Sequence, residues 1–173
     1  PVTALPALTN GTIIDGTSQP GGTNPNGPEI LLSGGLIPAN VPANGLTITG
    51  SGCVIKGIVI QAFGGHGVLI TGASASNNTV IGCYLGTSVS GTTAVKNEKS
   101  GVGITDGANA NTIGGGTSGD RNLISGNTLS GISLSGSGIA NKIQGNYLGI
   151  DRTGTIALSN GHGIEIRDSG AQT

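Results

Sequence analysis

The charged side chains near the end of the sequence are the residues whose types and spacing come closest to a catalytic set. Glu165, Arg167 and Asp168 lie within one four-residue stretch, downstream of Asp151 and Arg152. A polysaccharide lyase or hydrolase needs a base, an acid or paired carboxylates that converge on a sugar. We therefore keep Glu165, Arg167 and Asp168 as an alternative candidate site, against the simpler interpretation of a solvated charged face.

The two histidines are a second group that could do chemistry. His66 and His162 each stand in a Gly-His-Gly sequence just before an apolar pattern. If they occupy equivalent positions three repeats apart, about 14 Å separates them at the spacing of β-strands. A single metal ion with bonds of about 2 Å cannot bridge that distance. We interpret both as turn residues, and the sequence predicts no metal site and no cofactor.

The composition narrows the functional classes. The chain has 173 residues, of which 35 are Gly, and its net charge is −1 with 2% aromatic and 9% charged residues. Nucleic-acid binding by phosphate neutralisation needs a basic surface, so we do not expect it. Membrane insertion is not expected either, because no apolar stretch reaches the roughly 20 residues of a spanning helix.

A Gly-apolar-x-apolar pattern recurs along the chain and sets its organisation. The steps between its copies are 22, 34, 30 and 32 residues. Period-two alternation is typical of a strand with one buried face, and short strands repeated in register favour a solenoid. We predict an all-β parallel solenoid with coils of about 22 residues, two strands to a coil, and insertion loops. The pattern begins at Gly45, Gly67, Gly101, Gly131 and Gly163.

The alternation also assigns faces and neighbours. Ile104 is predicted to point inward and Thr105 to face water. Asn78 and Asn141, with Asn111 and Asn122 at related turns, are predicted to stack as amide ladders. Cys53 is aligned with Thr79 of the next coil, with Cys83 four residues further along. Since that offset is too long for a disulfide, both cysteines are predicted to be unpaired.

Two insertions resemble each other. NTVIGCYLGTSVSGTTAVKN (78–97) and NKIQGNYLGIDRTGTIALSN (141–160) share nine of twenty residues. We expect the loops 87–100 and 150–162 to be ordered, outward-facing and tolerant of change. Ser88 and Asp151 hold equivalent positions, so whether a calcium ion binds these loops stays open. The predicted partner-binding residues are Thr87, Ser88, Thr92, Asp151, Arg152 and Thr155.

These motifs resemble those of a known family. LPALTNGTIIDGTSQPGG, followed by repeats of the form NxIxGNYLGxDxxGTxAL and by RNLISGN, resembles the right-handed parallel β-helix repeat proteins of bacterial secreted and cell-surface proteins, some of them adhesin-like. The resemblance implies a single right-handed parallel β-helix over residues 1–173, with irregular first coils in 1–44 and regular repeats in 45–173. It also implies an extracellular or cell-surface location.

The expected function follows from this resemblance and from the absence of a catalytic motif. We expect an extracellular structural or adhesive β-solenoid, a segment of a larger protein or assembly. Its expected partners are further copies stacked end to end into a fibre, or a surface glycan or protein. The alternative is a polysaccharide-acting lyase or hydrolase on a β-helix scaffold.

Overall fold

The computed structural model of the chain describes residues 1–19, 24–25 and 27–168 and is built from strands. Two single-turn 3-10 helices, Gly16–Ser18 and Ser118–Asp120, are the helical elements of this described part. The strands in chain order are β1 (Ile13–Asp15), β2 (Ile30–Ser33), β3 (Leu46–Ile48), β4 (Val54–Lys56), β5 (Ile58–Gln61), β6 (Val68–Thr71), β7 (Thr79–Ile81), β8 (Tyr84–Leu85), β9 (Val102–Thr105), β10 (Thr112–Gly114), β11 (Leu123–Ile124), β12 (Ser130–Ser135), β13 (Lys142–Gln144), β14 (Tyr147–Leu148) and β15 (His162–Arg167).

The strands form three parallel sheets of five. Sheet 1 has the order β3-β6-β9-β12-β15, sheet 2 the order β1-β4-β7-β10-β13, and sheet 3 the order β2-β5-β8-β11-β14. Successive strands along the chain enter different sheets, so each turn of the chain adds one strand to each sheet. The arrangement is consistent with a β-solenoid that has three faces. The expectation of two strands to a coil was wrong, because each repeating unit contains three.

A glycine with positive φ explains the missed strand. CVIKGIVI reads as one run of alternating residues, but Gly57 has φ +63° and divides it into β4 and β5. An added Cβ at Gly57 would lie 2.4 Å from the Thr17 side chain. Gly82 and Gly145 have the same backbone conformation between the equivalent strands of later coils. A left-handed residue turns the chain sharply at this corner, and glycine adopts that conformation without steric cost.

The register within sheet 1 matches the predicted columns. Val68 pairs with Val102, and Ile70 pairs with Ile104. These inward side chains are fully buried, as predicted for Ile104. Each such burial stabilises the fold by roughly 1.5–3 kcal/mol. The column continues to Ile164 and Ile166 of β15, but there the side chains are 44% and 58% exposed.

Thr105 lies on the outward face, but it is not simply solvated. Its hydroxyl lies 2.9 Å from the Thr71 hydroxyl and 2.9 Å from a carboxylate oxygen of Asp106. The Thr71 hydroxyl also donates to Asp106 at 2.7 Å, and this bond, followed by the one from Thr105, lowers the pKa of Asp106. The expectation that Thr105 merely faces water therefore misses a small polar cluster on the outside of sheet 1.

Buried asparagines stack at the three corners of the coil, and each amide donates to the next one along the rod. Asn78 Nδ2 donates to Asn111 Oδ1 at 2.9 Å, which confirms the predicted stacking of Asn78, Asn111 and Asn141. Asn122 belongs to a different corner, where it bonds Asn146. The ladders are therefore Asn78–Asn111–Asn141, Asn122–Asn146 and a third, unpredicted one of Asn97–Asn127–Asn160.

Cysteines replace asparagine where two of these ladders stop. Both cysteines are free and buried, which confirms that they are unpaired. Because Val54 pairs with Thr79, Cys53 lies beside Asn78, and the predicted alignment was wrong by one residue. The Cys53 N–H donates to Asn78 Oδ1 at 2.8 Å. Burial raises the pKa of the Cys83 thiol to about 12, so this thiol is unreactive at neutral pH.

Candidate functional site

The two similar insertions fold into two hairpins with the same backbone. We call residues 87–94 the first hairpin and residues 150–157 the second hairpin. Thr87 forms an antiparallel bridge with Ala94, and Ile150 forms the equivalent bridge with Ala157. The turn bonds match as well: the N–H of Gly91 donates to residue 88, and the N–H of Gly154 to residue 151, at 2.9 and 3.0 Å. The predicted likeness of the two loops is therefore a shared hairpin geometry.

The hairpins touch each other although a whole coil lies between their strands. The backbone N–H of Arg152 donates to the carbonyl of Gly91 at 2.9 Å. The intervening coil supplies Ser125, whose hydroxyl donates to the carbonyl of Ile150 at 2.7 Å. Ser125 thus connects the second hairpin to the coil that lies between the two hairpins. The two hairpins form one continuous surface along sheet 3.

Glycine is required where the first hairpin lies on a tyrosine. Gly91 is buried, has φ +65°, and would place a Cβ 2.7 Å from the Tyr84 ring. Gly154 lies against the hydroxyl end of Tyr147 in the same way, with a built Cβ at 3.3 Å. Each hairpin therefore packs its glycine on the tyrosine of its own preceding strand, which keeps the loop ordered.

The polar side chains of the first hairpin bond one another. The hydroxyls of Ser88 and Ser90 lie 2.9 Å apart, and those of Ser90 and Thr92 lie 2.8 Å apart. Ser88 and Ser90 are half-buried, whereas Thr92 is exposed. Thr87 is fully buried, so of the predicted partner-binding residues in this loop Thr92 is the most accessible.

In the second hairpin, the carboxylate of Asp151 makes the hydrogen bonds that correspond to those of the hydroxyls in the first. It accepts from the hydroxyl of Thr153 at 2.7 Å and from the backbone N–H groups of Thr155 and Ile156 at 3.1 Å each. Burial alone would raise the pKa of Asp151, but these hydrogen bonds outweigh it and the pKa is lowered. Asp151 is 1% exposed, so the exposed members of the predicted set here are Arg152 and Thr155.

The loops are not outward-facing along their whole length. Asn97 is fully buried in the third ladder, and Ser100 is 1% exposed. Asn160 continues that ladder from the second loop. The expectation that 87–100 and 150–162 face outward therefore does not hold for the residues after the hairpins. The parts that project are the two hairpins, while the residues after them return to the coil corner.

The alternative charged site does not gather a catalytic pair. Glu165 forms an ion pair with Arg167 and accepts from the Ser130 hydroxyl at 3.1 Å. Although burial acts against it, these contacts lower the pKa of Glu165. Asp168 follows β15 with φ +45°. Glu165 is therefore an ionised side chain that is paired with Arg167 on the face of sheet 1.

His66 lies between β5 and β6, as predicted for a turn residue, but the same prediction was wrong for His162, which is the first residue of β15. His66 is aligned with Ser100 of the next coil, Ser100 with Ser130, and Ser130 pairs with His162. The two histidines therefore hold equivalent positions three coils apart. Burial and the nearby Lys99 charge lower the pKa of His66 to about 4, and its Nδ1 accepts from the Ser100 N–H at 3.3 Å. Over the described residues, no three His, Cys, Asp or Glu side chains gather as a metal site would require.

A cleft that the sequence reasoning missed lies beside the hairpins on sheet 3. It has a volume of about 220 Å³. Both tyrosines and two of the three arginines of the chain line it. The one available signal was that Tyr84 and Tyr147 precede the two hairpins at the same distance. We call it the Tyr-Arg cleft, and its main lining residues are Tyr84, Ser118, Arg121, Leu123, Tyr147 and Arg152.

A larger cavity of about 710 Å³ lies at the corner between sheets 3 and 1. Its walls include Ile37, Val41, Phe63 and Val95, with Lys96 and Glu98 at the side. Lys96 and Glu98 form an ion pair at 3.1 Å, so the charge at this cavity is neutralised.

Of the helical turns in the described ranges, none has the length and apolar character needed to cross a membrane. Comparison of the chain with protein-family models, with curated proteins and with solved structures finds no match in any of the three.

Proposed function

We propose that this chain is an extracellular structural or adhesive segment, a single right-handed parallel β-solenoid that presents its paired hairpins to a surface glycan or protein. The observation that carries the proposal is the contact between the two hairpins, the Arg152 N–H to the Gly91 carbonyl. It joins loops from separate coils into one ordered surface. Ordered loops on a rigid scaffold are where binding residues concentrate, because little conformational entropy is lost on binding.

The stacked core supports a mechanical role. Each corner of the coil carries amides that bond their neighbours along the rod, and all members of the three ladders are buried except Asn146 and Asn160, which are half-buried. Every buried amide has partners above and below, so the corners resist both stretching and slippage of register. A scaffold of this kind holds the hairpins at a fixed spacing, which suits repeated attachment to a surface.

End-to-end self-association is the second part of the proposal. β15 is the outer strand of sheet 1, and its column residues Ile164 and Ile166 are largely exposed. An outer strand with apolar neighbours is a template for a further strand. We propose that a second copy of the chain stacks on this edge and buries both isoleucines.

Enzymatic action on a polysaccharide is the competing function. A glycosidase acid must keep its proton near neutral pH, which requires a raised pKa. The pKa shifts of Asp15, Glu98, Asp106, Asp151 and Glu165 are all downward. These carboxylates therefore favour the ionised form, which does not suit the proton donor of a glycosidase.

Binding to immobilised glycans and to intact cells tests the proposal. In the test variant, residues 88–93 are replaced by Gly-Asn, which removes the first hairpin and leaves Asn97 in its ladder. Lys142→Glu is the control, since it changes an exposed charge on sheet 2 away from the hairpins. Loss of binding in the hairpin variant alone is the expected result. Equal binding by both variants, or turnover of a polysaccharide by the wild-type protein, would contradict it.

Self-association is measured separately, by sedimentation over a range of protein concentrations. Ile166→Lys places a charge in the exposed column of β15 and should keep the protein monomeric. Lys99→Glu changes an exposed charge of an inner coil and should assemble as the wild type does. A wild-type protein that stays monomeric at every concentration would exclude the end-to-end contact.

A further inference from the structure

The Tyr-Arg cleft holds two arginines without an acidic partner. The ion pairs found within the described ranges join Lys56 to Asp15, Lys96 to Glu98 and Arg167 to Glu165, and none includes Arg121 or Arg152. The cleft is therefore a local positive site on a chain whose net charge is −1. Positive charge gathered in a concave site raises the local concentration of anions.

Two acidic residues adjoin the cleft arginines in the sequence. Asp151 precedes Arg152, but its carboxylate accepts from groups of its own hairpin. Asp120 precedes Arg121, but its carboxylate turns back to its own loop and accepts from the Thr117 hydroxyl at 2.8 Å. The Thr117 N–H donates to the same carboxylate oxygen at 3.3 Å. These bonds close the 3-10 turn that forms one wall of the cleft, and in the described part of the chain neither aspartate forms an ion pair with Arg121 or Arg152.

Arg121 is held in place for an incoming acceptor. Its guanidinium carbon lies 4.2 Å from the centroid of the Tyr147 ring, and its Nε donates to the carbonyl of Gly145 at 3.3 Å. A guanidinium that stacks on an aromatic ring keeps its in-plane N–H groups free at the edge. The two terminal nitrogens of Arg121 can therefore bind the two oxygens of one carboxylate, with little loss of side-chain freedom.

The rest of the lining suits a sugar. Tyr84 and Leu123 line the cleft together with Arg152. Burial raises the pKa of Tyr84, and the charge of Arg152 acts in the opposite direction. Ser118 and the backbone of Gly82 and Gly119 add polar groups at the rim. At about 220 Å³ the cleft is smaller than the roughly 300–1,000 Å³ of small-molecule sites, so it suits one ring of a longer chain.

From the charge, the stacked arginine and the polar rim, we propose that the Tyr-Arg cleft binds a saccharide that carries a carboxylate, a uronate unit of an acidic glycan. The carboxylate binds at the edge of Arg121 with Arg152 opposite, and the ring lies over Tyr84. This inference rests on the proposed adhesive function and names the ligand class of the same surface. An acidic peptide would need apolar anchor pockets that this polar cleft does not offer.

The test uses the full chain and matched ligands. A hyaluronan hexasaccharide carries a glucuronate in every second ring, and cellohexaose is a neutral oligosaccharide of the same length. Wild-type protein should bind hyaluronan in a salt-dependent manner and should bind cellohexaose at least about tenfold more weakly, because the charge-assisted hydrogen bonds are absent. Equal affinity for both sugars overturns the inference.

Arginine variants assign the site. Arg121→Gln and Arg152→Gln should each weaken hyaluronan binding by about tenfold or more, and Arg121→Lys should weaken it too, since lysine keeps the charge but loses the fork. Arg167→Gln, which removes a guanidinium of sheet 1, is the control and should bind as the wild type. All four variants should keep the wild-type melting temperature. An equal loss in Arg167→Gln would show a diffuse charge effect and overturn the site.

Further anions separate the ligand classes. Polyglutamate or inorganic sulfate that competes as well as hyaluronan would mean that any anion fills the cleft and would overturn the saccharide assignment. If the protein does not bind hyaluronan but still binds another partner through the first hairpin, this inference fails and the proposed function stands. If both kinds of binding are missing, both proposals fail.

Discussion

The two hairpins share a backbone and differ in what holds it. Both turn at a left-handed glycine, Gly91 or Gly154, and both close with an antiparallel bridge. In the first hairpin, Ser88 begins a chain of neutral hydroxyls. In the second, Asp151 takes the place of Ser88 and bonds two backbone N–H groups and a hydroxyl.

The comparison shows that the hairpin does not depend on the carboxylate. In the first hairpin a serine stands in this position, and the same bridge and turn form. The common features are the glycine packed on a tyrosine and the ladder asparagine that follows, Asn97 or Asn160. We infer that the scaffold specifies the hairpin and that residues 88 and 151 adjust its local stability.

Breaking the scaffold should therefore destroy both hairpins together. Ile104→Asp buries a charge among fully buried apolar side chains and should lower the free energy of unfolding by about 4 kcal/mol or more, or prevent folding. Circular dichroism and chemical denaturation measure the effect.

Ser135→Asp is the matched control for that change. Ser135 is exposed and pairs across the sheet with Arg167, so a carboxylate there should be tolerated. Thr105→Asp is a poorer control than its outward position suggests, because it would place a second carboxylate beside Asp106. Equal damage from Ile104→Asp and Ser135→Asp would mean that the faces of the strands are wrongly assigned.

The ladder that follows the hairpins should have the next largest effect. Asn127 accepts from Asn97 and donates to Leu85 and Asn160, each at 3.0 Å. Asn127→Leu keeps the volume but removes these bonds, so we expect a loss of about 2–5 kcal/mol in the free energy of unfolding. Thr128→Ala, at the exposed neighbouring position, should cost under about 1 kcal/mol. Similar melting curves for both variants would show that the ladder contributes little.

Much of this scaffold was predictable from the sequence, and the failures have physical reasons. The columns through Ile70, Ile104 and Leu134 followed from alternation, because a residue shifted by one would point to the wrong face. The third sheet was missed because the residues on both sides of Gly57 continue the same alternating pattern. The sequence therefore shows no boundary between β4 and β5, although the backbone turns at Gly57. Conformation at one glycine cannot be recognised when 35 glycines are present.

The site was less predictable than the fold. Asparagine occurs both in turns and in ladders, so Asn97, Asn127 and Asn160 carried no distinguishing signal. The Tyr-Arg cleft joins Arg121 to Arg152, which come together only when two coils stack. The loop likeness was visible as a repeat, but the accessible residues were not, since Thr87 and Asp151 prove to be buried.

Removing the carboxylate should loosen one hairpin and spare the other. Asp151→Ala leaves the N–H groups of Thr155 and Ile156 without their acceptor, so their hydrogen exchange should speed up by about tenfold or more. Exchange at the equivalent positions of the first hairpin should not change. Ser88→Ala is the matched substitution there. It should alter exchange by less, since the side chain of Ser88 bonds a hydroxyl and no backbone N–H. Equal effects in the two hairpins would contradict the different roles assigned to them.

Low pH should likewise weaken the second hairpin and leave the first unchanged. The folded-state pKa of Asp151 lies below its ordinary value of 3.8, so the stabilisation is present above that value and is lost as the pH falls through the lower folded-state pKa. The amide resonances of Thr155 and Ile156 should titrate with a midpoint below pH 3.8, measured by NMR. The first hairpin holds no ionisable side chain from Thr87 to Ala94, and its amides should not follow that titration. A midpoint at or above pH 3.8 would show that the hairpin does not lower the pKa of Asp151.

Moving the carboxylate to the first hairpin should give the smallest effect and the closest test of the comparison. Because the backbones match, Ser88→Asp should place an acceptor near the N–H groups of Thr92 and Thr93, the counterparts of Thr155 and Ile156. A gain of about 0.5–1.5 kcal/mol is expected, which is a few degrees in melting temperature for a chain of this size. Thr92→Asp adds the same charge at an exposed position and should give no such gain. If Ser88→Asp leaves the melting temperature unchanged or lowers it, the carboxylate does not fit the first hairpin, and the shared bridge and turn do not extend to the N–H groups that Asp151 binds.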